Sequence, residues 1–324
     1  MNFVKQVIES GGSIHPIILP AELTNGTGTF NPSIYNDNGQ LLMNIRHCQV
    51  TIYHSEKSIF EHQWGPLVYV HPENDQTLTT TNYFCHLDSN LNIIRTDVVD
   101  FSRFNEPPIW NFIGLEDCRV FRWEGKLYLC GVRRDTTPNG VGRMEMSEIE
   151  ITENAVTEVS RFRIPAPGKD DTYCEKNWMP ILDLPYQFIK WCNPTEIVTV
   201  NPIKKTCTSF IGTNVLPLQN DLRGGSQVLS WKDQGYFTLI HETYLFNSEA
   251  GRKNGIYRHR FVLWDKHWNI IKISDPFSFG EAHIEFAAGM CYHGDDLLIT
   301  FGIQDNAAYI LRCPLKLIEN ALNV

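Results

Sequence analysis

A run of two acids and an arginine, Glu116, Asp117 and Arg119, is the sharpest chemical motif in the sequence. It lies in GLEDCR at 114–119, directly before a predicted strand that is apolar on both faces, where charge is costly unless it is paired or used. A partly desolvated carboxyl has a raised pKa and can donate a proton. We therefore predict that Asp117 is a general acid and Glu116 its structural partner. A structural Asp–Arg pair between two sheets is the alternative.

A second acid, Asp305, ends a similar strand near the C-terminus. Most enzymes that cleave glycosidic bonds use two carboxylates, one on either side of the bond. Asp305 could instead cap a turn before Asn306. If it faces a pocket, we expect it to bind sugar hydroxyls rather than to act as a base.

Basic side chains from four separate segments form a second signal. They are Arg46, Lys176, Arg223, His241, His259 and Arg260. A hydrolase that activates water needs few cations, whereas an enzyme that binds phosphate or a sugar phosphate needs an anion site of this composition. Solvated surface charge is the alternative, and it fits Lys176 poorly because its segment CEKNW precedes an apolar strand.

Other chemistries lack their sequence patterns. The glycine-rich segment at 223–227 is not followed by a predicted helix, so a dinucleotide or P-loop site is not expected. Zinc-site spacings of His and Cys are missing, as is a Gly-x-Ser-x-Gly elbow. We predict no metal and no cofactor, with inorganic phosphate or a sugar nucleotide as co-substrate.

A pattern that recurs five times positions these residues. Each copy has a lead-in, an apolar run, a turn rich in Asn, Asp or Gly, a second apolar run and a final polar residue, 15 or 16 positions apart. The copies are 31–46, 117–133, 177–193, 226–241 and 289–305. Such copies predict β-hairpins, and segments 81–97 and 259–275 predict further strand pairs with a shared Asp-x-x-x-Asn-Ile-Ile turn. Five four-stranded units predict an all-β, five-bladed β-propeller.

A propeller brings the first strand of each blade to its axis, so lead-in residues and second-strand ends should converge on one mouth. The polar residues at these positions are Asn31, Arg46, Asp117, Arg119, Arg133, Arg134, Lys176, Asn177, Ser226, His241 and Asp305. A ring of acids, bases and amides suits a binding pocket. The alternative is that strands simply end at the surface.

Length and composition agree with one globular enzyme. Because the chain has 324 residues and is 42% hydrophobic, we predict a single domain over 1–324, with a lead-in at 1–30, a tail at 313–324 and almost no helix beyond 315–322.

A net charge of −9 argues against binding to nucleic acid. Nine cysteines without a CxxC pair and no apolar signal segment indicate a cytoplasmic protein. No run is long enough for a membrane span. Oligomeric state is left open.

Several motifs resemble those of the five-bladed propeller enzymes of glycoside hydrolase family 130, which are β-mannoside phosphorylases and some hydrolases, and of related β-mannosyltransferases. The motifs are FNPSIY with Arg46, GLEDCRVF, the Lys176 segment, the Gly-Gly-Ser segment with His241, Tyr257-Arg258-His259 and AAGMCYHGDDLLITFGIQD, within 30–312. The resemblance implies that Asp117 donates a proton through a mannosyl hydroxyl while phosphate attacks the anomeric carbon with inversion. It places Asn31, Arg46 and Asp305 around the sugar, and Lys176, His241 and Tyr257 near sugar or phosphate.

Two features depart from the family pattern. Cys118 stands where the family usually has proline, and the segments 175–178 and 223–226 look more like the transferase-associated relatives. Three functions therefore stay open: inverting phosphorolysis or hydrolysis of a β-mannosidic bond, β-mannosyl transfer from a sugar nucleotide or mannose 1-phosphate, and non-catalytic carbohydrate binding. The predicted partner is a mannoside or oligosaccharide.

The predicted site residues fall into three groups. Asp117 is catalytic; Asn31, Arg46, Glu116, Arg119, Asn177, Ser226 and Asp305 bind substrate; Lys176, Arg223, His241, Tyr257 and His259 bind phosphate.

Overall fold

The structure, a computed structural model, describes residues 2–49, 51–53, 68–70, 77–168, 173–218, 222–247 and 253–323. Strands dominate, which confirms the all-β prediction. Helices are α1 (Phe3–Glu9), α2 (Ala21–Thr24) and α3 (Leu315–Leu322), with one 3₁₀ turn at Ser102–Phe104. The sequence interpretation did not include α1. The side chain of Asn2 caps it by accepting from the Lys5 amide, and Phe3 and Val7 are buried one turn apart.

The strands follow one another in four-stranded antiparallel units. The first strand, β1, is Ser13–Ile17; the first unit is β2 (Thr29–Asp37), β3 (Gln40–Cys48), β6 (Leu78–Leu87) and β7 (Ile93–Asp100), with a separate pair β4 (Thr51–Tyr53) and β5 (Val68–Val70) inserted. The short β8 (Phe112–Ile113) pairs with β6, and the second unit is β9 (Glu116–Trp123), β10 (Lys126–Arg133), β11 (Arg143–Ile151) and β12 (Val156–Arg163).

The later units repeat this plan. The third unit is β13 (Met179–Pro180), β14 (Gln187–Cys192), β15 (Thr195–Asn201) and β16 (Thr206–Ile211). In the fourth, β17 (Leu222–Gly224) and β18 (Leu229–Trp231) both pair with β19 (Gly235–Asn247), followed by β20 (Lys253–Asp265) and β21 (Ile270–Ile273). The fifth is β22 (Glu285–His293), β23 (Asp296–Ile303) and β24 (Ala307–Pro314). All five predicted hairpins are present.

The shared Asp-x-x-x-Asn turn also forms as predicted. In the first unit the carboxylate of Asp88 accepts from the backbone amides of Asn90 and Asn92 and from the Asn92 side chain. Asp265 makes the same contacts with His267 and Asn269 in the fourth unit. Each aspartate therefore closes the hairpin that joins the outer two strands of its unit.

Two pairings go beyond the simple repeat. The N-terminal strand β1 completes the fifth sheet by pairing antiparallel with β24, from Ser13 opposite Arg312 to Ile17 opposite Ala308. The predicted lead-in is therefore part of a sheet. In addition, β7 and β12 pair in parallel, which joins the first two units into one continuous sheet.

Five apolar clusters hold the units together, one between each consecutive pair. The first and second units share the cluster around Phe84 and Val120, and the second and third share the one around Phe121 and Phe188. Similar clusters join the third to the fourth and the fourth to the fifth, where α1 and α3 also pack. A fifth cluster, with Ile34 and Leu298, joins the fifth unit back to the first. The contacts between units thus return to their start.

A buried glutamine links four of the units near their first strands. The Gln227 amide nitrogen donates to Ser33 Oγ at 3.2 Å, to the Ile34 carbonyl at 3.0 Å and to the Val120 carbonyl at 2.7 Å. Its oxygen accepts from the Met290 amide at 3.0 Å. One fully buried side chain therefore ties the fourth unit to the first, second and fifth.

The helices and cysteines relate to the expectations that the chain has no membrane span and that its cysteines are free thiols. Within the part of the chain that the structure describes, no helix is long and apolar enough to cross a bilayer. The nine cysteines are all free thiols.

Candidate active site

Asp117 lies near the start of β9, where the strand bulges. Its backbone is left-handed, with φ of 50°, and the opposite strand offers Gly131, where a Cβ would lie 2.2 Å from the Glu116 carbonyl oxygen. The bulge points the carboxylate at the first unit. Asp117 Oδ1 accepts from Asn31 Nδ2 and from Arg46 Nη1, both at 2.9 Å. The sequence prediction that Asp117, Asn31 and Arg46 converge is thus matched by direct contacts.

The charge state of Asp117 differs from the expectation. Burial raises the pKa of Asp117, but the charge of Arg46 and the hydrogen bond from Asn31 outweigh it, so the pKa lies below the ordinary value for aspartate. The raised pKa inferred from the sequence is wrong for the protein without ligand. Its cause lies on a different unit, which local sequence does not reveal.

Glu116 is held by two arginines. Its carboxylate lies 3.3 Å from Arg46 Nη2 and 3.5 Å from Arg134 Nε. Arg46 therefore bridges Glu116 and Asp117, which fits the prediction that Glu116 is a structural partner. The expected role of Glu116 in direct substrate contact receives no geometric support.

Asp305 is the acid whose pKa is raised. It lies in the turn between β23 and β24, with φ of 47°. Burial raises its pKa to about 6; Arg46 opposes this, while the charges of Asp117 and Glu116 add to it. Asn31, which donates to Asp117, also lies near enough to Asp305 to lower its pKa. The two carboxylates thus share one amide neighbour and one cationic neighbour, but they differ in pKa.

Arg119 is a connector between units. It is almost fully buried; Nε donates to the Gly225 carbonyl and Nη1 to the Asp117 carbonyl, both at 2.8 Å. Its guanidinium also lies over the Phe286 ring, 5.4 Å from the centroid. The remaining nitrogen, Nη2, is buried without a protein partner. Arg119 therefore fixes the backbone of Asp117, and Nη2 is its one nitrogen without a hydrogen-bond partner within the described residues.

A cavity of about 340 Å³ is linked to the carboxylates through Arg134, which lines it and lies 3.5 Å from Glu116; Asp117 and Asp305 are not among its lining residues. Its walls contain four cationic side chains, one acid, an amide, three aromatic rings, a thiol and a glycine: Arg134, Lys176, Lys190, Arg223, Glu175, Asn177, Tyr173, Trp178, Trp191, Cys174 and Gly224. Lys176 makes no ion pair or side-chain hydrogen bond within the described residues, and the buried Asn177 Oδ1 has no partner. Burial, together with the charges of Arg134 and Arg223, lowers the pKa of Lys176. These features suit an anionic or polar ligand.

His241 of the predicted anion site carries no charge at neutral pH. His241 Nδ1 must donate to the Gly224 carbonyl at 3.0 Å, and burial lowers its pKa well below the ordinary value. Nε2 is therefore a hydrogen-bond acceptor. The Tyr257 ring stacks on His241 at 5.1 Å, and burial raises the Tyr257 pKa. These two residues present an acceptor and a neutral hydroxyl rather than a cation.

His259 and Ser226 do not have the binding roles that the sequence predicted for them. His259 is fully buried against Phe277 and Phe279, and this burial lowers its pKa to about 3, so it cannot supply charge to an anion. The Ser226 hydroxyl is also fully buried; it bonds with Thr238 and accepts from the Leu239 amide. Both side chains serve the sheet of the fourth unit rather than the cavity.

Arg260, another of the predicted cations, is also bound within the protein. Its guanidinium pairs with Glu242 at 3.2 Å and donates to the Ser274 carbonyl at 2.8 Å. Of the predicted cations, Lys176 and Arg223 line the cavity, while Arg46 serves the carboxylates. Sequence reasoning missed Lys190 and the rings of Tyr173 and Trp191. Trp191 lies two residues before Asn193, the last residue of the third repeat, so the repeat pattern does place it close to the predicted ring of site residues.

Metal ligands are not grouped in the described ranges: no three His, Cys, Asp or Glu side chains there lie close enough to hold an ion.

Comparison with known proteins shows what this architecture resembles. The structure is similar to a β-1,2-mannobiose phosphorylase from Listeria innocua in complex with β-1,2-mannobiose (TM-score 0.59, 12% identity, 96% of this chain and 99% of that one). It is also similar to a glycosyl hydrolase from Bacteroides ovatus (0.59, 13%, 90% and 85%) and to a mannose phosphorylase from Leishmania mexicana in complex with phosphate ion (0.52, 11%, 96% and 92%).

No protein-family model matches the chain, and no curated protein matches it by sequence. At such low identity the structural likeness shows the fold. The resemblance to glycoside hydrolase family 130 is thus confirmed at that level: the chain has the fold of mannoside phosphorylases and related glycoside hydrolases.

Proposed function

We propose that this protein is an enzyme that cleaves β-mannosidic bonds by inverting phosphorolysis, built on a five-bladed β-propeller. The observation that carries the proposal is that an acid pair and a cationic cavity lie close together. An aspartate pair with different pKa values is linked through Glu116 and Arg134 to a cavity whose wall also holds Lys176, which has no ion pair within the described residues. Two of the similar structures are named as phosphorylases, and one of these is in complex with a phosphate ion, which supports the same choice.

The propeller is supported by the packing between units. Each unit shares an apolar cluster with the next, and the fifth shares one with the first. Gln227 reaches three other units from the fourth, as expected near a common axis. The same closed set of contacts supports a single domain, and nine free thiols support a cytoplasmic location.

In the proposed reaction a phosphate oxygen, held by Lys176 and Arg223, attacks the anomeric carbon as the bond to the leaving oxygen breaks. The leaving oxygen takes a proton that Asp117 supplies through a mannosyl hydroxyl. Asp117 is ionised in the free protein, so it must gain this proton in the complex. Asp305, protonated below about pH 6, is its neighbour, and the charge of Asp117 is one of the causes that raise the pKa of Asp305.

The test is incubation with β-1,2-mannobiose with and without inorganic phosphate. Mannose 1-phosphate formed only when phosphate is present supports phosphorolysis. Release of free mannose at the same rate in both samples supports hydrolysis and overturns the proposed role of phosphate. Retention of unchanged disaccharide in both samples, with binding seen by calorimetry, would leave carbohydrate binding as the function.

Mannosyl transfer is the second candidate function. It is favoured by the segments 175–178 and 223–226, which look like those of the transferase-associated relatives and which bring Lys176 and Arg223 into the cavity wall. A donor such as GDP-mannose would use the same cations for its phosphates. Formation of a new mannoside from GDP-mannose and a mannose acceptor, with no turnover of mannobiose and phosphate, would select this function.

A further inference from the structure

The cavity continues past its cations to a corner of two aromatic rings. The centroids of Tyr173 and Trp191 lie 6.3 Å apart with their planes at 54°. Tyr173 is 45% exposed, and its carbonyl accepts from Arg143 Nη1 at 2.8 Å. The corner is therefore accessible to a ligand, while the backbone that carries it is anchored in the second unit.

Lys190 supports this corner. Its ammonium donates to Glu175 Oε1 at 2.9 Å and lies 5.4 Å from the Tyr173 ring centroid. Glu175 also accepts from Trp178 Nε1 at 3.1 Å. The charge of Lys190 is thus balanced within the protein, so this residue is part of the wall rather than a further anion ligand.

The same cavity wall holds both the cations and the aromatic corner formed by Tyr173 and Trp191. Arg134 pairs with Glu116, and Lys176 is near enough to Asp117 for that charge to act on its pKa. A water molecule takes about 30 Å³ of liquid, so a cavity of about 340 Å³ has room for much more than one phosphate group.

We propose that Tyr173 and Trp191 form a subsite for a ring joined to the phosphate on the side away from the carboxylates, as in a nucleoside diphosphate. With a phosphate at Lys176 and its sugar at the aspartates, the rings of Tyr173 and Trp191 are the aromatic contacts that the same cavity offers to a second substituent. Aromatic side chains bind flat rings by stacking on their faces. The inference rests on the anion site of the proposed function and names the ligand class that the site takes.

The test compares binding of inorganic phosphate, mannose 1-phosphate and GDP by calorimetry. Trp191→Ala should weaken GDP binding roughly tenfold or more, the scale of one lost stacking contact, and leave phosphate and mannose 1-phosphate unchanged. Trp191→Phe, which keeps a ring, should recover most of the affinity. Phe210→Ala, which removes an exposed ring from β16 of the same unit, is the matched control and should bind like the wild type.

The outcomes separate this inference from the proposed function. Equal GDP affinity in the wild type and in Trp191→Ala overturns the ring subsite and leaves the anion site intact. Weaker binding of mannobiose instead of GDP in Trp191→Ala also overturns it, because the corner would then serve a saccharide. Failure of wild-type protein to bind any of the three anions overturns the anion site itself, and with it the phosphate-dependent function.

Discussion

Asp117 and Asp305 show how neighbours decide the charge of a buried carboxyl. Both acids are enclosed by protein, and both lie near Arg46 and Asn31. Asp117 accepts a direct charged hydrogen bond from Arg46, which stabilises its ionised form. For Asp305, burial is the largest cause of its raised pKa; Arg46 only partly opposes it, and the negative charges of Asp117 and Glu116 add to it, so its neutral form is favoured.

We expect Asp117→Asn to lower kcat/KM roughly 100-fold or more while the protein stays folded, because this change keeps the shape and removes the proton. The measurement is phosphorolysis of mannobiose across pH 4–8, with circular dichroism as the folding control. A folded variant with wild-type turnover would remove Asp117 from the role of proton donor.

Asp305→Asn separates the second acid from the first. If protonated Asp305 takes part in the reaction, wild-type activity should fall as the pH rises through about 6, and the variant should lose that limb of its profile. If Asp305 only holds sugar hydroxyls, the variant should show a raised KM with the limb unchanged. The two results assign different roles.

Asp305 should also make folding stability depend on pH. The folded protein binds its proton with a pKa of about 6, above the ordinary 3.8, so its contribution to stability is lost as pH rises from about 4 to about 6, by up to about 3 kcal/mol. Asp117, whose pKa is lowered, acts in the opposite sense and loses its contribution as the pH falls below about 4. Urea unfolding at pH 4.5 and 7 should show a smaller loss for Asp305→Asn than for wild type.

At the scale of the elements, bent first strands and facing glycines aim the site residues. Asn31, Asp117 and Asn177 are left-handed, with φ of 48°, 50° and 60°. Each is matched by a glycine on a neighbouring strand: Gly302 for Asn31, Gly131 beside Asp117 and Gly224 for Asn177. Asn and Asp tolerate this conformation better than most residues, so the lead-in composition follows from the backbone as well as from chemistry.

Gly224→Ala tests this arrangement. A Cβ at 224 would lie 1.8 Å from the Asn177 carbonyl oxygen, so the third and fourth units must separate beside the cavity. We expect a lower melting temperature and weaker phosphate binding. At Gly212 the nearest atom would be 3.4 Å away, so Gly212→Ala should change neither property. Equal behaviour of the two variants would contradict the close packing of Asn177 on Gly224.

The elements show where sequence analysis succeeds and where it stops. Hairpins were predictable because alternating apolar runs around Asn, Asp and Gly turns are local signals. The pKa of Asp117 was not, because Arg46 lies on another unit. The burial of His259 was missed for a related reason: Phe277 and Phe279, which enclose it, come from the segment that leads into the fifth unit. The edge strand β1 was missed because it is short and contains Pro16.

At the scale of the whole molecule, Gln227 concentrates the contacts between units in one side chain. Replacing it with leucine leaves the carbonyls of Ile34 and Val120 and the amide of Met290 without this partner in the interior. A buried unsatisfied group costs about 1–3 kcal/mol, so we expect Gln227→Leu to lose roughly 3–5 kcal/mol of unfolding free energy.

Urea unfolding measures this loss, and Gln234→Leu is the control because Gln234 is exposed in the turn before β19. The control should unfold within about 0.5 kcal/mol of the wild type. A Gln227→Leu variant as stable as the control would show that the units do not depend on this central amide.

The pairing of β1 with β24 bears on the order in which the chain can fold during synthesis. Ser13 pairs with Arg312, so the N-terminal strand leaves the ribosome long before its partner exists. Until then its backbone amides and the apolar side chains of α1 have no native neighbours and are exposed to other chains and to proteases. The fifth sheet cannot be completed before β24 has been synthesised, so its closure is a late, non-local step. A peptide fused ahead of Asn2 is therefore attached next to a strand that stays unpaired for most of synthesis. A peptide placed after α3 is instead attached behind a sheet whose strands have all been synthesised.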